Sequence, residues 1–264
     1  MSRYARMFEH LGCQGEGAFG AFLMLGDPDP DSSGRLLDQL VAGGADMVEL
    51  GIPFSDPVAD GPVIQAAALR ARSSGVRTAD CFALISDFRA RHPDVPVGIL
   101  TYANLVAARG ADSFFQRASA AGADSLLVAD LPAREAEDWA AGIRDSGMEP
   151  VLIAASNTPA ETLGRIAALG GGYTYCVTRS GITGTHLDAS FDSHLIERLR
   201  DLGAPPPVFG FGISKSAHIR SAMEAGAAGV ISGSAIVASA FEGGDVESLV
   251  DSLKSATRND SPPQ

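Results

Sequence analysis

Lysine is almost absent from this chain. Its 264 residues include only Lys215 and Lys254, and neither falls in a stretch that reads as a β-strand. A Schiff-base mechanism needs a lysine aimed into an apolar pocket, so this scarcity argues against one. Cysteine is sparse too: Cys13, Cys81 and Cys176 are an odd set without CxxC spacing. That pattern predicts free thiols in a reducing cytoplasm rather than a disulfide framework or a thiolate metal site. The histidines (His10, His92, His186, His194, His218) show no metal-ligand spacing and none ends a predicted strand. No run reaches the ~18 apolar residues of a membrane span, and the opening "MSRYARMFEH" lacks an apolar signal core. Positive charge is in deficit: the formal net charge of −12 argues against nucleic acid or an anionic membrane as partner. A small anionic ligand stays open, because backbone N–H groups and helix N-termini bind phosphate without net positive charge.

What the chain does have is an alternation. Eight short apolar runs ("AFGAFLML", "DMVEL", "PVGILTY", "DSLLVAD", "EPVLIAA", "YTYCV", "PPVFGF", "AGVISG") are separated by segments with apolar residues three and four apart. Strands alternating with helices imply parallel pairing through right-handed crossovers. The joints "AGGAD", "AAGAD" and "EAGAAG" repeat one solution, a glycine ending a helix just before a strand. Such recurrence fits a single-domain (β/α)8 barrel better than an open doubly wound sheet, and no GxGxxG follows the first strand. The segment "RYARMFEHLGCQGEGA" leaves room for an extra N-terminal helix plugging the barrel floor. The catalytic barrel is expected over residues 1–256, with a disordered tail at 257–264.

In such a barrel ligands bind at the C-terminal ends of the strands, so acids there are informative. Asp27 in "LGDP" is expected to cap a turn or the next helix, and Asp56 to do the same or to occupy the rim. Asp130 in "VADLP" reads equally as a support for the site or as structure. Glu49 differs, because Val48 and Leu50 flank it in a core strand. Lost hydration would raise its pKa and let it exchange a proton near neutrality; the alternative is a glutamate merely tied down by backbone N–H groups. Asp60 follows on a loop stiffened by Pro53, Pro57 and Pro62, which restrict how the chain returns over the mouth. Two carboxylates in different environments can hold different protonation states and separate roles.

Glycine-bearing loops follow the last three strands: "TRSGITGTH", "GFGIS" and "ISGSAIV". The loops after strands seven and eight are the usual phosphate site of this fold. Gly212 and Gly233 would admit an anion to backbone N–H groups, with Ser214 and Ser234 at helix starts adding hydroxyls, although turn glycines would read the same way. "SGITG" has the composition of a lid, with Arg179 beside it able to close over an anion. Without a Schiff-base lysine, a metal site or a nucleophile triad, general acid–base chemistry by carboxylates on a phosphorylated substrate remains.

The stretch "ELGIPFSDPVADGPVIQ" closely resembles the signature of the tryptophan synthase α subunit family. So do "GAFGAFLMLGDP", "LTYANLV", "LLVADLP", "YTYCVTRSGITG", "GFGIS" and "GAAGVISGSAIV", in the same order and spacing over nearly the whole chain. This resemblance implies retro-aldol cleavage of indole-3-glycerol phosphate to indole and glyceraldehyde 3-phosphate, a step of tryptophan biosynthesis. It implies Glu49 as general acid/base and Asp60 as the carboxylate on the indole N–H. Phe22, Leu100, Leu127 and Phe211 match the apolar walls, Tyr175 and Thr183 the site lining that locks Asp60, and Gly184, Gly212, Gly233 and Ser234 the phosphate cradle. Pro53, Asp56, Pro57 and Asn104 match contacts to a β subunit in an α2β2 complex. Pyridoxal phosphate is expected only in that β subunit, with no cofactor in this chain. Met24, Ser180 and the run Ala154–Asn157 depart from the family pattern. The competing expectations are a stand-alone indole-releasing lyase, a catalytically idle scaffold that activates a β subunit, or another phosphate-binding barrel such as a sugar-phosphate isomerase.

Overall fold

A computed structural model describes residues 1–177 and 191–258. Arg179, Ser180, Thr183 and Gly184 lie outside the described residues, as do 259–264. Eight strands form on the eight apolar runs: β1 (Ala18–Met24), β2 (Met47–Gly51), β3 (Val97–Thr101), β4 (Ser125–Val128), β5 (Glu149–Ala155), β6 (Thr174–Val177), β7 (Pro207–Phe209) and β8 (Gly229–Ser232). They pair in parallel in sequence order, and β8 returns to β1 to close the barrel. Both faces of each strand are covered, which is why the runs read as continuously apolar instead of alternating.

The period of two divides the core into two layers. Phe19, Ala21 and Leu23 of β1 point outward and pack with the helices, as do Val48 and Leu50 of β2. Phe22, Met24, Met47, Leu127, Val151, Tyr173, Tyr175, Val208 and Ile231 point inward and fill the barrel. Glu49 shares the inward face of β2, with Phe22 and Gly98 as its neighbours on the adjoining strands.

The aspartates in the repeated joints have a structural purpose at the barrel floor. Asp46 accepts the Phe19 amide at 2.7 Å and Lys254 Nζ at 2.8 Å. Asp124 accepts the Val97 amide at 2.8 Å and is gripped by Arg3 and Arg89 at 2.7 and 2.6 Å. The joint glycines Gly44 and Gly122 hold left-handed φ values of 92° and 98°, which lets each helix end one turn before its strand begins. The N-terminal helix Arg3–Cys13 is capped by Ser2 and drives Tyr4 into the barrel, where its hydroxyl lies 2.9 Å from Ser125 Oγ.

Two expectations need correction here. The tail does not begin at residue 257: Thr257 is buried and donates to the Lys254 carbonyl at 2.8 Å, and Arg258 bridges back to Glu16. Lys254, paired with both Glu16 and Asp46, anchors this end of the chain. Asp27 caps neither a turn nor a helix with its side chain. Arg70 clasps its carboxylate with two 2.7 Å bonds, and Asp29 caps the helix Pro30–Ala42 by accepting from the Ser32 amide.

Candidate active site

The mouth of the barrel holds a cavity of about 310 Å³. Phe22 on β1, Glu49 on β2, Leu100 on β3, Leu127 on β4 and Tyr175 on β6 reach it from the wall, and Phe211 enters from the loop after β7. Asp60, Gly212, Gly233 and Ser234 complete the set, so all the described residues expected to bind substrate or phosphate line one space except Ser214, which stays outside it. Ile64, Ile153 and Ile231 add apolar wall that motif reading missed. For Ile153 and Ile231 the signal was available, since each lies on the inward parity of its strand. Pro53, Asp56, Pro57 and Asn104 do not line the cavity; they follow β2 and β3, where Asp56 and Asn104 are exposed and the two prolines half-buried.

Glu49 is 3% exposed. Burial pushes its pKa up to about 7, a hydrogen bond from Tyr173 opposes that rise, and the charge of Asp60 adds to it. The Tyr173 hydroxyl donates to Glu49 Oε1 at 2.8 Å. Gly98, directly beside Glu49, makes room for the neighbouring Tyr4–Ser125 pair: a methyl group there would lie 3.0 Å from both Tyr4 Oη and Ser125 Oγ. Tyr173 carried no role in the sequence reading. Its position two residues before Tyr175 in the apolar run "YTYCV", and therefore on the same face, was the available signal.

Asp60 sits half-buried on the loop after β2, where burial pushes its pKa up to about 6 and the Tyr102 hydroxyl opposes the rise. Tyr102, the residue after β3, pins this loop at two points. Its hydroxyl accepts the Ala59 amide at 3.2 Å, and its ring stacks on Phe54 with centroids 5.2 Å apart. A turn from the Asp60 amide to the Pro57 carbonyl (3.1 Å) and a bond from Gln65 Nε2 to the Asp60 carbonyl (2.7 Å) set the rest of the path. Pro62 then opens the helix Pro62–Ser73 at a position where no N–H is needed. Asp130 accepts the Ala103 amide at 2.7 Å and so supports the loop after β3.

Elsewhere on the cavity lining Gly212 has φ +77°, and Ser234 is the first residue of the helix Ser234–Phe241. First-turn amides have no partner within their own helix, which suits them to an anion. Ser214 does not start a helix as expected. The helix Ser216–Glu224 begins two residues later, and the Ser214 amide faces His218 Nδ1 at 3.4 Å. The site thus brings two carboxyl groups of unequal acidity and the glycine loops after β7 and β8 to one largely apolar cavity.

Comparison with known proteins places the whole chain in one family. The family model for the tryptophan synthase alpha chain matches residues 8–259. The alpha chain of Photobacterium profundum is 49% identical over 238 residues, spanning 90% of this chain and 88% of the relative. That of Aeromonas hydrophila is 51% identical over 238 residues, spanning 90% and 89%. Among solved structures, a protein from Aquifex aeolicus superposes with a TM-score of 0.89 at 33% identity, covering 98% of this chain and all (100%) of the other. The aminoacrylate-bound tryptophan synthase of M. tuberculosis gives 0.87 at 27% identity, covering 98% and 100%. The chain belongs to the tryptophan synthase alpha chain family, the carbon–carbon lyases that cleave indole-3-glycerol phosphate to indole and glyceraldehyde 3-phosphate.

Proposed function

We propose that Glu49 and Asp60 perform this cleavage as an acid–base pair on opposite edges of the indole ring. Protonated Glu49 delivers its proton to indole C3, giving an indoleninium whose ring nitrogen carries positive charge. The Asp60 carboxylate accepts a hydrogen bond from that N–H and stabilises the charge as it develops. Glu49, now ionised, takes the proton of the side-chain hydroxyl. The bond between C3 and the side chain breaks, its electron pair enters the ring, and indole and the aldehyde form. One proton leaves Glu49 and one returns, so the residue ends the cycle as it began.

The observation that carries this reading is the pairing of acidities in one cavity, with Glu49 at about 7 and Asp60 at about 6. A general acid poised near the working pH is the efficient one, worth about 10²–10⁴-fold. Phe22, Leu100, Leu127 and Phe211 hold the indole ring, and Gly212, Gly233 and Ser234 receive the phosphate. Thr183 and Gly184 keep the parts that the family resemblance gives them, the first with Tyr175 locking Asp60 and the second in the phosphate cradle.

Pro53, Asp56, Pro57 and Asn104 follow β2 and β3 at the strand ends that carry the cavity, and a β subunit docked there would receive indole as it leaves. We assign that contact to an α2β2 assembly in the cytoplasm, with pyridoxal phosphate held by the β subunit alone. The test is turnover of indole-3-glycerol phosphate with and without an added β subunit, for the natural chain and Glu49→Gln. Activation by the partner and a loss of at least about 10²-fold in the variant are expected. Unchanged cleavage by the variant would remove Glu49 from the mechanism.

A further inference from the structure

One buried side chain ties together the two glycine loops at the anion end of the cavity. Ser232, the last residue of β8, is fully buried, and its Oγ donates to the Ile213 carbonyl at 2.8 Å. Ile213 follows Gly212 on the loop after β7, whereas Ser232 directly precedes Gly233 and Ser234. A single hydrogen bond therefore joins the backbones of both loops beside the residues that line the cavity.

Ser232 itself does not line it. Along β8 the inward side chain is Ile231, so Ser232 faces the helix layer and acts through the backbone alone. The peptide unit it grips is held from its other side as well. The Ile213 carbonyl goes to Ser232, and the N–H of the same unit, belonging to Ser214, faces His218 Nδ1 at 3.4 Å. Orientation of this unit matters because Gly212, just before it, has φ +77°, in the left-handed region where glycine has neighbouring conformations open to it. Without the tie, the Gly212 and Ile213 amides would be free to turn independently of those at Gly233 and Ser234.

We propose that Ser232 is a positioning residue for phosphate recognition, its hydroxyl holding the loops after β7 and β8 so that their amides converge on one dianion. The proposal rests on reading this end of the cavity as the phosphate site. Its substrate class is the phosphomonoester, and its effect falls on binding more than on the bond-breaking step.

The experiment uses the full chain and two competitive inhibitors of indole-3-glycerol phosphate cleavage: glycerol 3-phosphate, which has no ring, and indole, which has no phosphate. Ser232→Ala should raise KM and the inhibition constant of glycerol 3-phosphate by the same factor, about threefold to tenfold for one lost hydrogen bond. The inhibition constant of indole should hold, and kcat should fall by less than KM rises. Ser232→Thr, which keeps the hydroxyl, should restore phosphate binding. If the alanine variant does not fold, Ser232→Cys, with its weak donor, carries the same expectations. An unchanged constant for glycerol 3-phosphate, or an equal loss for both inhibitors, overturns the role of Ser232. Failure of glycerol 3-phosphate to compete in the natural chain would instead overturn the phosphate reading, a distinct result.

Discussion

The Tyr173 hydroxyl meets Glu49 Oε1 at 2.8 Å inside the barrel, where the two residues are 1% and 3% exposed. Burial and the neighbouring Glu49 charge hold the Tyr173 pKa well above its ordinary value, so the phenol stays a donor throughout the range in which Glu49 titrates. Since the bond favours ionised Glu49, its removal has a definite direction. Tyr173→Phe should raise the Glu49 pKa above about 7 and carry the alkaline limb of kcat/KM to higher pH. A limb that stays in place in the pH–rate profile would show that the phenol does not govern this proton.

The Asp60 charge also acts on Glu49. Activity needs Asp60 ionised and Glu49 protonated, so kcat/KM should rise through about 6 and fall through about 7. The Asp60 charge helps keep the Glu49 proton on. Asp60→Asn should therefore abolish the acid limb and move the alkaline limb down in pH, besides lowering the rate. Because the groups are coupled, the limbs report the pair rather than either residue alone. An acid limb surviving in the asparagine variant would have to belong to another group.

Catalytic burial of Glu49 carries a cost in stability. Its pKa rises from 4.5 in its ordinary setting to about 7 in the fold, so the folded state binds the proton more tightly than the unfolded chain. Stability from this group accordingly falls as pH increases from about 4.5 to about 7, and the full deficit, on the order of 3 kcal/mol, persists above that range. Glu49→Gln should melt higher than the natural chain at about pH 8, with the difference closing near pH 4.5. Thermal melts across that window test the sign; a variant less stable at alkaline pH would contradict it.

Gly210 gives the Tyr175 ring its place. A methyl group there would overlap the ring, whose hydroxyl donates to the Gly210 carbonyl at 2.9 Å. Gly210→Ala should displace Tyr175 within the cavity and lower kcat/KM by roughly 10²-fold, the scale expected for a misplaced site group. Combining it with Tyr175→Leu should recover part of the loss through the shared space, which a double-mutant cycle would read as coupling. Strictly additive effects would mean that the two positions do not compete.

Much of the fold was legible in one dimension because each strand had to be apolar on both faces and each helix on one. Eight runs separated by periodic segments therefore mapped onto eight strands. Glu49 stood out because a carboxylate inside such a run must lose hydration, and Gly212 and Gly233 because they follow the last two strands. Tyr102, Tyr173 and Ser232 did not stand out. A tyrosine or serine in or beside a strand is ordinary core chemistry until the residue across from it is known. Asp27 misled for the same reason: Gly-Asp-Pro signals a turn locally, while Arg70, 43 positions later, claims the carboxylate.

By itself the sequence determined the alternation of strand and helix, the acid buried in a core strand, and the order of motifs that places the chain in its family. These depend on local periodicity and residue chemistry, which survive without knowledge of distant contacts. Only the tertiary structure decided which hydroxyl meets Glu49, how Tyr102 fastens the Asp60 loop, and where Ser232 joins the two anion loops. Those relationships pair residues separated along the chain: pairing of neighbouring strands brings Tyr102 to Ala59 and Ser232 to Ile213, and the closed barrel sets Tyr173 against Glu49.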